Sequence, residues 1–420
     1  MQPVYNEFIE FLEEKTGQNL NIKEGMYWSD NHNILFFTPD GEKHIVYRYK
    51  VDQKLNVTIK KLPCDSNEDI ESWDKTLIRL SDYINRLSKE AKIRIKNCFD
   101  KYEGYEFFSL TSTGKDSTVV ADLVNKVRDT QVVFNNTSLD CAPTYKMAKE
   151  HSDWIITNPS EGFYQFIIRK NFIPTRFGRA CCGVFKEGNH INYFKDKVEK
   201  AVWFMGVRND ESISRADRED YIHNPKWGDL DWHGCLPIRQ WSDFDVWLYI
   251  LKNNLEVNLK YKQGYSRVGC AIACPFATKY TWVLDEYFYP LMRNRWVKIL
   301  DEDFVQGERW SKLNCTKEEY RICWNGGLYR DAPTDEVIRE FMEYKDLRDI
   351  NVARKYFNKT CVECGKNVRQ PEVIGMNLKF FSKAIDGVYC KKCLQKKMSI
   401  NNEAWDRYIE DFKSQGCNLF

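Results

Sequence analysis

Apolar positions along the first hundred residues change their period twice. From Val4 to Lys15 they recur at three- and four-residue steps, the spacing of a short amphipathic helix. Asn33–Thr38 and His44–Tyr49 read instead as strand-like runs, parted by the turn Pro39-Asp40-Gly41. From Asn67 to about Asp100 the helical step returns through Ile70, Trp73, Leu77, Leu80, Tyr83, Ile84 and Leu87. A small α+β region with a linking helix is expected over residues 1–100.

Beyond Glu106 short apolar runs alternate with helical ones. Strands are expected at Glu106–Leu110, Gln131–Phe134, Trp154–Thr157 and Ala201–Phe204. Helices are expected at Thr118–Arg128, around Ala142–Glu150 and around Phe163–Arg169. Such alternation with short connections predicts an α/β fold, a doubly wound and mostly parallel sheet that binds ligands at the carboxyl ends of its strands. This central domain is assigned to residues 101–285. A helical extension rich in Trp, Tyr, Arg and Glu follows over 286–358, and a cysteine-bounded unit with a last helix over 359–420.

Composition narrows the classes of function. Lys and Arg number 63 against 61 Asp and Glu, a net charge of +2, so the chain does not coat nucleic acid or membrane with its whole surface. No run approaches the roughly 18 apolar residues that span a bilayer, and the acidic N-terminal stretch lacks a basic-then-apolar signal layout. A cytoplasmic protein without membrane partners is expected. There the fifteen cysteines stay mostly reduced, so clustered ones point to metal ligation or redox chemistry rather than disulfides.

The sharpest local signal is the run from Phe107 to Thr118, in which a strand ends in Thr111-Ser112-Thr113-Gly114-Lys115-Asp116-Ser117-Thr118 and a helix starts at about Asp116. Amides at a helix start, flanked by Ser and Thr hydroxyls, make an anion cradle. Gly114 lets the backbone approach closely, Lys115 adds charge and Ser117 a hydroxyl. A Walker A loop has glycine five residues before its Gly-Lys, where Ser109 stands here, which excludes that motif.

Ser112–Ser117 resembles the PP-loop, Ser-Gly-Gly-x-Asp-Ser, of ATP pyrophosphatases and phosphoadenosine-phosphosulfate (PAPS) reductases, with Thr113 in place of the first glycine. Four further segments resemble the reductase branch in order. They are Val132–Asp140 with Pro143-Thr144-Tyr145; Gly206-Val207-Arg208-Asn209-Asp210-Glu211-Ser212 with Arg215; Pro237-Ile238 to Trp241 with Asp245-Val246-Trp247; and Tyr261 to Pro275. The resemblance spans about residues 105–280. It implies that Ser112, Thr113, Gly114, Ser117 and Thr118 hold the phosphate or sulfate end of an adenine nucleotide (ATP, APS or PAPS). Asn136 and Thr137 would meet the nucleoside, and magnesium would accompany ATP. Lys115, Asp116 and Arg208 are the expected catalytic residues. Arg215 would grip the anion by a forked hydrogen bond, and Glu211 would hold an arginine.

Cys181-Cys182, followed by Lys186, and the distant pair Cys270 and Cys274 are four soft ligands that suit an iron–sulfur cluster or zinc. The resemblance favours [4Fe–4S], although Cys-x-x-x-Cys is one residue longer than the family's Cys-x-x-Cys, with Cys323 as a substitute ligand. Cys64, Cys98, Cys141 and Cys235 read as packing residues. Cys361-x-x-Cys364 and Cys390-x-x-Cys393 enclose twenty-five residues, the pattern of a structural zinc ribbon. Lysines and arginines around it, Lys366, Arg369, Lys379, Lys383, Lys391, Lys392, Lys396 and Lys397, make a face for nucleic acid phosphates or only a solvated rim.

Reductases of the family carry a nucleophilic cysteine in a terminal Glu-Cys-Gly-Leu-His. Here only Cys417 lies near the end, in Gln415-Gly416-Cys417-Asn418. The expected activity is sulfur or adenylyl transfer, either reduction of a sulfonucleotide or a phosphorothioation-type sulfurtransferase acting on nucleic acid. The alternative is a non-catalytic nucleotide or nucleic-acid sensor.

Overall fold

The computed structural model describes residues 1–52, 54–63, 69–175, 180–209, 219–306, 316–324, 359–368, 370–381 and 387–414. Its contacts divide the chain into two compact units, Met1–Phe172 with Cys181–Arg295, and Ile173–Ala180 with Trp296–Phe420. Among the described residues no helix is long and apolar enough to cross a membrane.

The first unit opens with an antiparallel sheet ordered β1 (Gln2–Pro3), β2 (Trp28–Asp30), β3 (Asn33–Phe37), β4 (Lys43–Val51) and β5 (Val57–Lys61). Helix α1 (Asn6–Thr16) buries Phe8, Phe11 and Leu12 on its apolar face and ends at Gly17, whose φ of 65° suits glycine. These side chains share a core with Ile34, Phe36, Tyr49 and Ile59 of the sheet, and with Val283 and Leu284 of the helix Lys279–Phe288. Helices α2 (Trp73–Arg79) and α3 (Ser81–Lys101) then lead to the main sheet.

That sheet has the order β10 (Tyr221–Ile222), β11 (Asp231–Cys235), β9 (Lys200–Phe204), β6 (Glu106–Thr111), β7 (Gln131–Asn135) and β8 (Ile155–Thr157). All pairs are parallel except the edge strand β10. The expected doubly wound α/β architecture is therefore present. Helices α4 (Lys115–Asn125), α5 (Ala142–Glu150), α6 (Phe163–Lys170), α7 (Gly188–Phe194) and α8 (Asp243–Lys252) connect or follow its strands. Val132, Val133, Phe134, Val202, Trp203 and Phe204 are all buried, the continuous apolar run of strands covered on both faces.

The chain runs outward from β6 to β7 and β8, then returns to the other side of β6 as β9. The carboxyl ends of β6 and β9 thus flank the point where strand order reverses, the usual crevice of such sheets. Strands β10 and β11 escaped the sequence pattern: Asp231–Cys235 is five residues of mixed polarity with Gly234 inside it. Helix α4 begins at Lys115, three residues before the run expected from periodicity, because Gly114 already serves as its extended N-cap.

In the second unit the Cys361 hairpin (Lys359–Thr360 with Asn367–Val368) precedes helices Pro371–Phe381, Lys391–Met398 and Asn402–Ser414. They share a core that includes Ile374, Leu378, Val388, Leu394, Trp405 and Phe412. Of the expected helical extension, Pro290–Gln306 and Lys317–Cys323 are helical. Cys64, Glu211, Ser212, Arg215, Arg369, Lys383, Cys417 and the side chain of Cys323 lie outside the described residues.

Candidate nucleotide and metal sites

At the carboxyl end of β6 the chain passes through Ser112, Thr113 and Gly114 into α4. Thr113 has φ +54°, a left-handed conformation rare for a β-branched residue and natural to the glycine of the related motif. Two hydrogen bonds hold it. Its N–H donates to Thr111 Oγ1 at 3.0 Å, and its hydroxyl accepts from Asn258 Nδ2 at 2.7 Å. Asn258 is buried and also donates to Thr144 Oγ1 at 3.0 Å. Ser117 Oγ accepts from Ser112 N–H at 3.2 Å and donates to Gly114 O at 2.9 Å. Thr118 N–H closes the first turn on Gly114 O at 2.9 Å.

Lys115 N–H donates to the Tyr261 hydroxyl at 3.0 Å. The amides of Ser112, Thr113 and Lys115 are thus aimed at hydroxyl oxygens, neutral acceptors whose place the oxygens of an anion can take at a helix start.

Arg208, four residues past the end of β9, reaches this loop. Its guanidinium is buried and donates to the carboxylates of Asp116 and Asp243 and to Trp241 O. Lys115 Nζ lies 3.0 Å from Asp116 Oδ2 and 3.1 Å from Asp243 Oδ1. Two cations and two carboxylates therefore alternate at the switch point. Burial works against the charge on Lys115, yet Tyr261, Asp116 and Asp243 outweigh it and raise its proton affinity. Burial likewise raises Asp243, but Lys115 and Arg208 hold its carboxyl below the usual carboxylate range.

The two loops touch at Gly206. A Cβ placed there would lie 2.6 Å from Asp116 C and from Ser117 N. Only glycine allows the β9 loop to rest on the first turn of α4, and that contact brings Arg208 to Asp116.

Asn136 and Thr137 stand past the end of β7, where their side chains shape the turn. Asn136 Oδ1 accepts from Ser138 N–H at 2.8 Å while its Nδ2 donates to Asn158 Oδ1 at 2.9 Å. Thr137 donates through both N–H and hydroxyl to Asp140 Oδ2, at 3.0 and 2.9 Å.

Cys181, Cys182, Cys270 and Cys274 are all half-buried in the same unit. The Cys181 thiol is raised by its hydrogen bond with Cys182, by burial, and by the nearby Cys182, Cys270 and Cys274. Burial, Asp140 and Cys274 push Cys270 up to about 12, against the pull of Lys186. Among the described residues these four thiols lie near one another without closing to a metal-sized group of the kind formed by Cys361, Cys364, Cys390 and Cys393. The additional residue of the Cys270–Cys274 strap is taken up by a tight bend: Ile272 has φ +63°, and Ala273 N–H donates to Ala271 O at 2.6 Å. Ala271 N–H ties the strap to Leu139 O at 2.9 Å, beside the β7 turn.

Cys361, Cys364, Cys390 and Cys393 converge, their sulfurs all within 4.8 Å of one another and the Cys364–Cys390 pair at 3.6 Å. Four sulfurs at about 2.3 Å from one tetrahedral ion lie roughly 3.8 Å apart, so the quartet is sized for a single ion. Gly365, at φ +70°, closes the first knuckle by donating N–H to Cys361 O at 2.9 Å. The second pair rides on the first turn of a helix, with Cys390 as N-cap. Burial raises the Cys361 thiol, but the N–H groups of Cys390, Cys364 and Glu363 bring it down to about 6.

Asp243 and Asn258 are missing from the residues expected from sequence, and Gly206 and Tyr261 were noted only as the starts of segments. A lone acid after the helix cap Ser242 carries no signal of its own, since the capping box already explains Ser242 and Asp245.

Residues 106–275 match the family model of the phosphoadenosine phosphosulfate reductase domain. An uncharacterised protein of Methanocaldococcus jannaschii is 30% identical over 272 residues, which cover 61% of this chain and 65% of that protein. A second from the same organism is 28% identical over 58% of this chain and 52% of its own length. The chain thus spans less than two thirds of these two relatives. An adenosine 5'-phosphosulfate reductase of Bacillus velezensis is 26% identical over 48% of this chain and 85% of the reductase.

Proposed function

Because residues 106–275 form a domain of the phosphoadenosine phosphosulfate reductase family, we propose that the chain is a PP-loop enzyme of sulfur or adenylyl transfer that binds an adenine nucleotide at the β6–β9 switch point. The observation that carries this reading is the ring of Lys115, Asp116, Arg208 and Asp243, its two cations buried where two loops meet at Gly206. Lys115 and Arg208 are the cations for the nucleotide's anionic end, with the amides of residues 112–117 beneath it. Asp116 and Asp243 hold both cations in place. Asn136 and Thr137 face the nucleoside, and magnesium accompanies ATP.

Cys181, Cys182, Cys270 and Cys274 hold a [4Fe–4S] cluster in this reading, whose chemistry is electrostatic and redox support of the sulfur step. Zinc is its alternative there. The C-terminal quartet holds structural zinc.

Anaerobically purified protein incubated with ATP, APS or PAPS tests the proposal. Pyrophosphate release supports adenylation and sulfite release supports reduction; neither product from protein with its metal intact would sink both. Lys115→Ala with Asp116→Ala should also abolish nucleotide affinity. Unchanged affinity would place the nucleotide elsewhere.

A nucleic acid acceptor is the second reading. The exposed Lys392 and Lys396, on the helix that bears Cys393, favour it.

A further inference from the structure

A cavity of about 300 Å³ opens within the first unit, between the turn after β2 and the segment that bears the cysteine strap. Among its lining side chains are Lys260, Arg267, Asp30, Asp243, Cys270 and Cys274. None of the residues in the phosphate loop lines it; Asp243 stands between the two.

Lys260 is the anomaly. Its side chain is 3% exposed, yet among the described residues no carboxylate lies within 4.0 Å of Nζ and no acceptor takes its hydrogen bonds. Its contact is the Tyr265 ring, 4.3 Å from Nζ to centroid. The Nζ itself still meets the water of the cavity, so an ammonium without a protein acceptor is presented there to an anion. Two carboxylates feel it from further off, the half-buried Asp140, which accepts from Thr137, and the buried Asp285, whose Oδ1 accepts from the Tyr265 hydroxyl at 2.8 Å.

The carboxylates of the cavity wall are no better placed. Asp30 pairs with Lys43 at 3.0 Å, and Asp243 pairs with Lys115 and Arg208. Arg267, exposed at the rim, likewise has no carboxylate within 4.0 Å among the described residues. The cavity therefore presents, beside two thiols, two cations that touch no carboxylate among the described residues.

We propose that this cavity binds a tetrahedral oxyanion of the sulfate and phosphate class, held by Lys260 and steered by Arg267, at the same time as a nucleotide occupies the phosphate loop. The site deepens the sulfur- and adenylyl-transfer reading by giving the second reactant its own anion pocket next to Cys270 and Cys274. Its occupancy does not depend on that reading. Two sources share this chemistry, a free sulfur oxyanion and a phosphate ester of an acceptor.

The test is calorimetric titration of the full chain with sulfate at constant ionic strength, with and without a saturating non-hydrolysable ATP analogue. Sulfate should still bind when the analogue is saturating. Lys260→Met should weaken sulfate at least ten-fold with analogue affinity unchanged, and Lys115→Ala should do the reverse. Sulfate displaced fully by the analogue, or held equally by Lys260→Met, overturns the proposal. Loss of analogue binding from wild type with sulfate binding intact would count against the nucleotide reading alone.

Should Lys260→Met fail to fold, Arg267→Met, on the exposed rim, should weaken sulfate about three-fold; an unchanged affinity overturns the site. Thiosulfate and phenyl phosphate should each compete with sulfate, the stronger competitor naming the source. Competition by neither overturns the assignment.

Discussion

Replacing Gly206 by alanine adds a single methyl group at the junction on which the proposed nucleotide site depends. The new Cβ would meet Asp116 C and Ser117 N at 2.6 Å and Asp116 O at 2.8 Å, against ordinary contacts of 3.4 Å or more. All three obstacles are backbone atoms in the first turn of α4, so no side chain can swing aside. The loops must part by roughly 0.8 Å, or the turn must distort; forced overpacking of this kind costs about 1–3 kcal/mol. If the loops part, Arg208 leaves Asp116, and the loss falls on nucleotide binding as well as on stability. Since about 1.4 kcal/mol is tenfold in an equilibrium constant, Gly206→Ala should weaken an ATP analogue by ten-fold or more in calorimetry. It should also lower the melting temperature by several degrees. Gly162→Ala is the control, because its Cβ would meet Gln165 Oε1 at an ordinary 3.7 Å. Wild-type affinity and melting in Gly206→Ala would refute the claim that the two loops are packed at this point.

Three other expectations follow from the same geometry. Arg208→Met leaves Asp116 facing Lys115, and Asp243 facing Lys115 and the Met1 ammonium; breaking a buried pair costs about 3–5 kcal/mol, so urea midpoints should fall sharply, and Arg208→Lys should restore only part because it lacks the fork. His190 is lowered to about 4 by burial, and its Nδ1 faces Asn135 Nδ2, whose orientation is set by donation to Lys186 O. The unfolded chain therefore takes up a proton that the folded one refuses, and stability should be lost as pH falls from about 6.5 towards 4, by about 3 kcal/mol in all. His190→Gln should flatten that limb of a stability-against-pH series; parallel curves would show that His190 is not its source. Chelation should withdraw one zinc from Cys361, Cys364, Cys390 and Cys393 and cost the C-terminal module its helical signal, because a structural zinc contributes on the order of 10 kcal/mol. A metal-free chain with that signal intact would refute the zinc assignment.

What could be read in the chain itself was whatever depends on neighbours a few residues away. Period and turn chemistry located β6, β7, β8 and β9, and α5 over Ala142–Glu150, because burial of one face leaves its mark at each repeat. The helix start expected at about Asp116 and found at Lys115, and the Cys361 quartet, were legible for the same reason, since a capped turn and a pair of Cys-x-x-Cys knuckles are local devices.

Tertiary structure decided which distant groups complete them. Asp243 and Asn258 lie well over a hundred residues from Lys115 and Thr113, yet bond to them, and Lys260 meets its cavity only through the return of the chain across the sheet. No pattern along the chain marks such residues, because what selects each is a charge or a hydrogen-bonding atom left unsatisfied by another segment. That need exists only once β9 has come back beside β6.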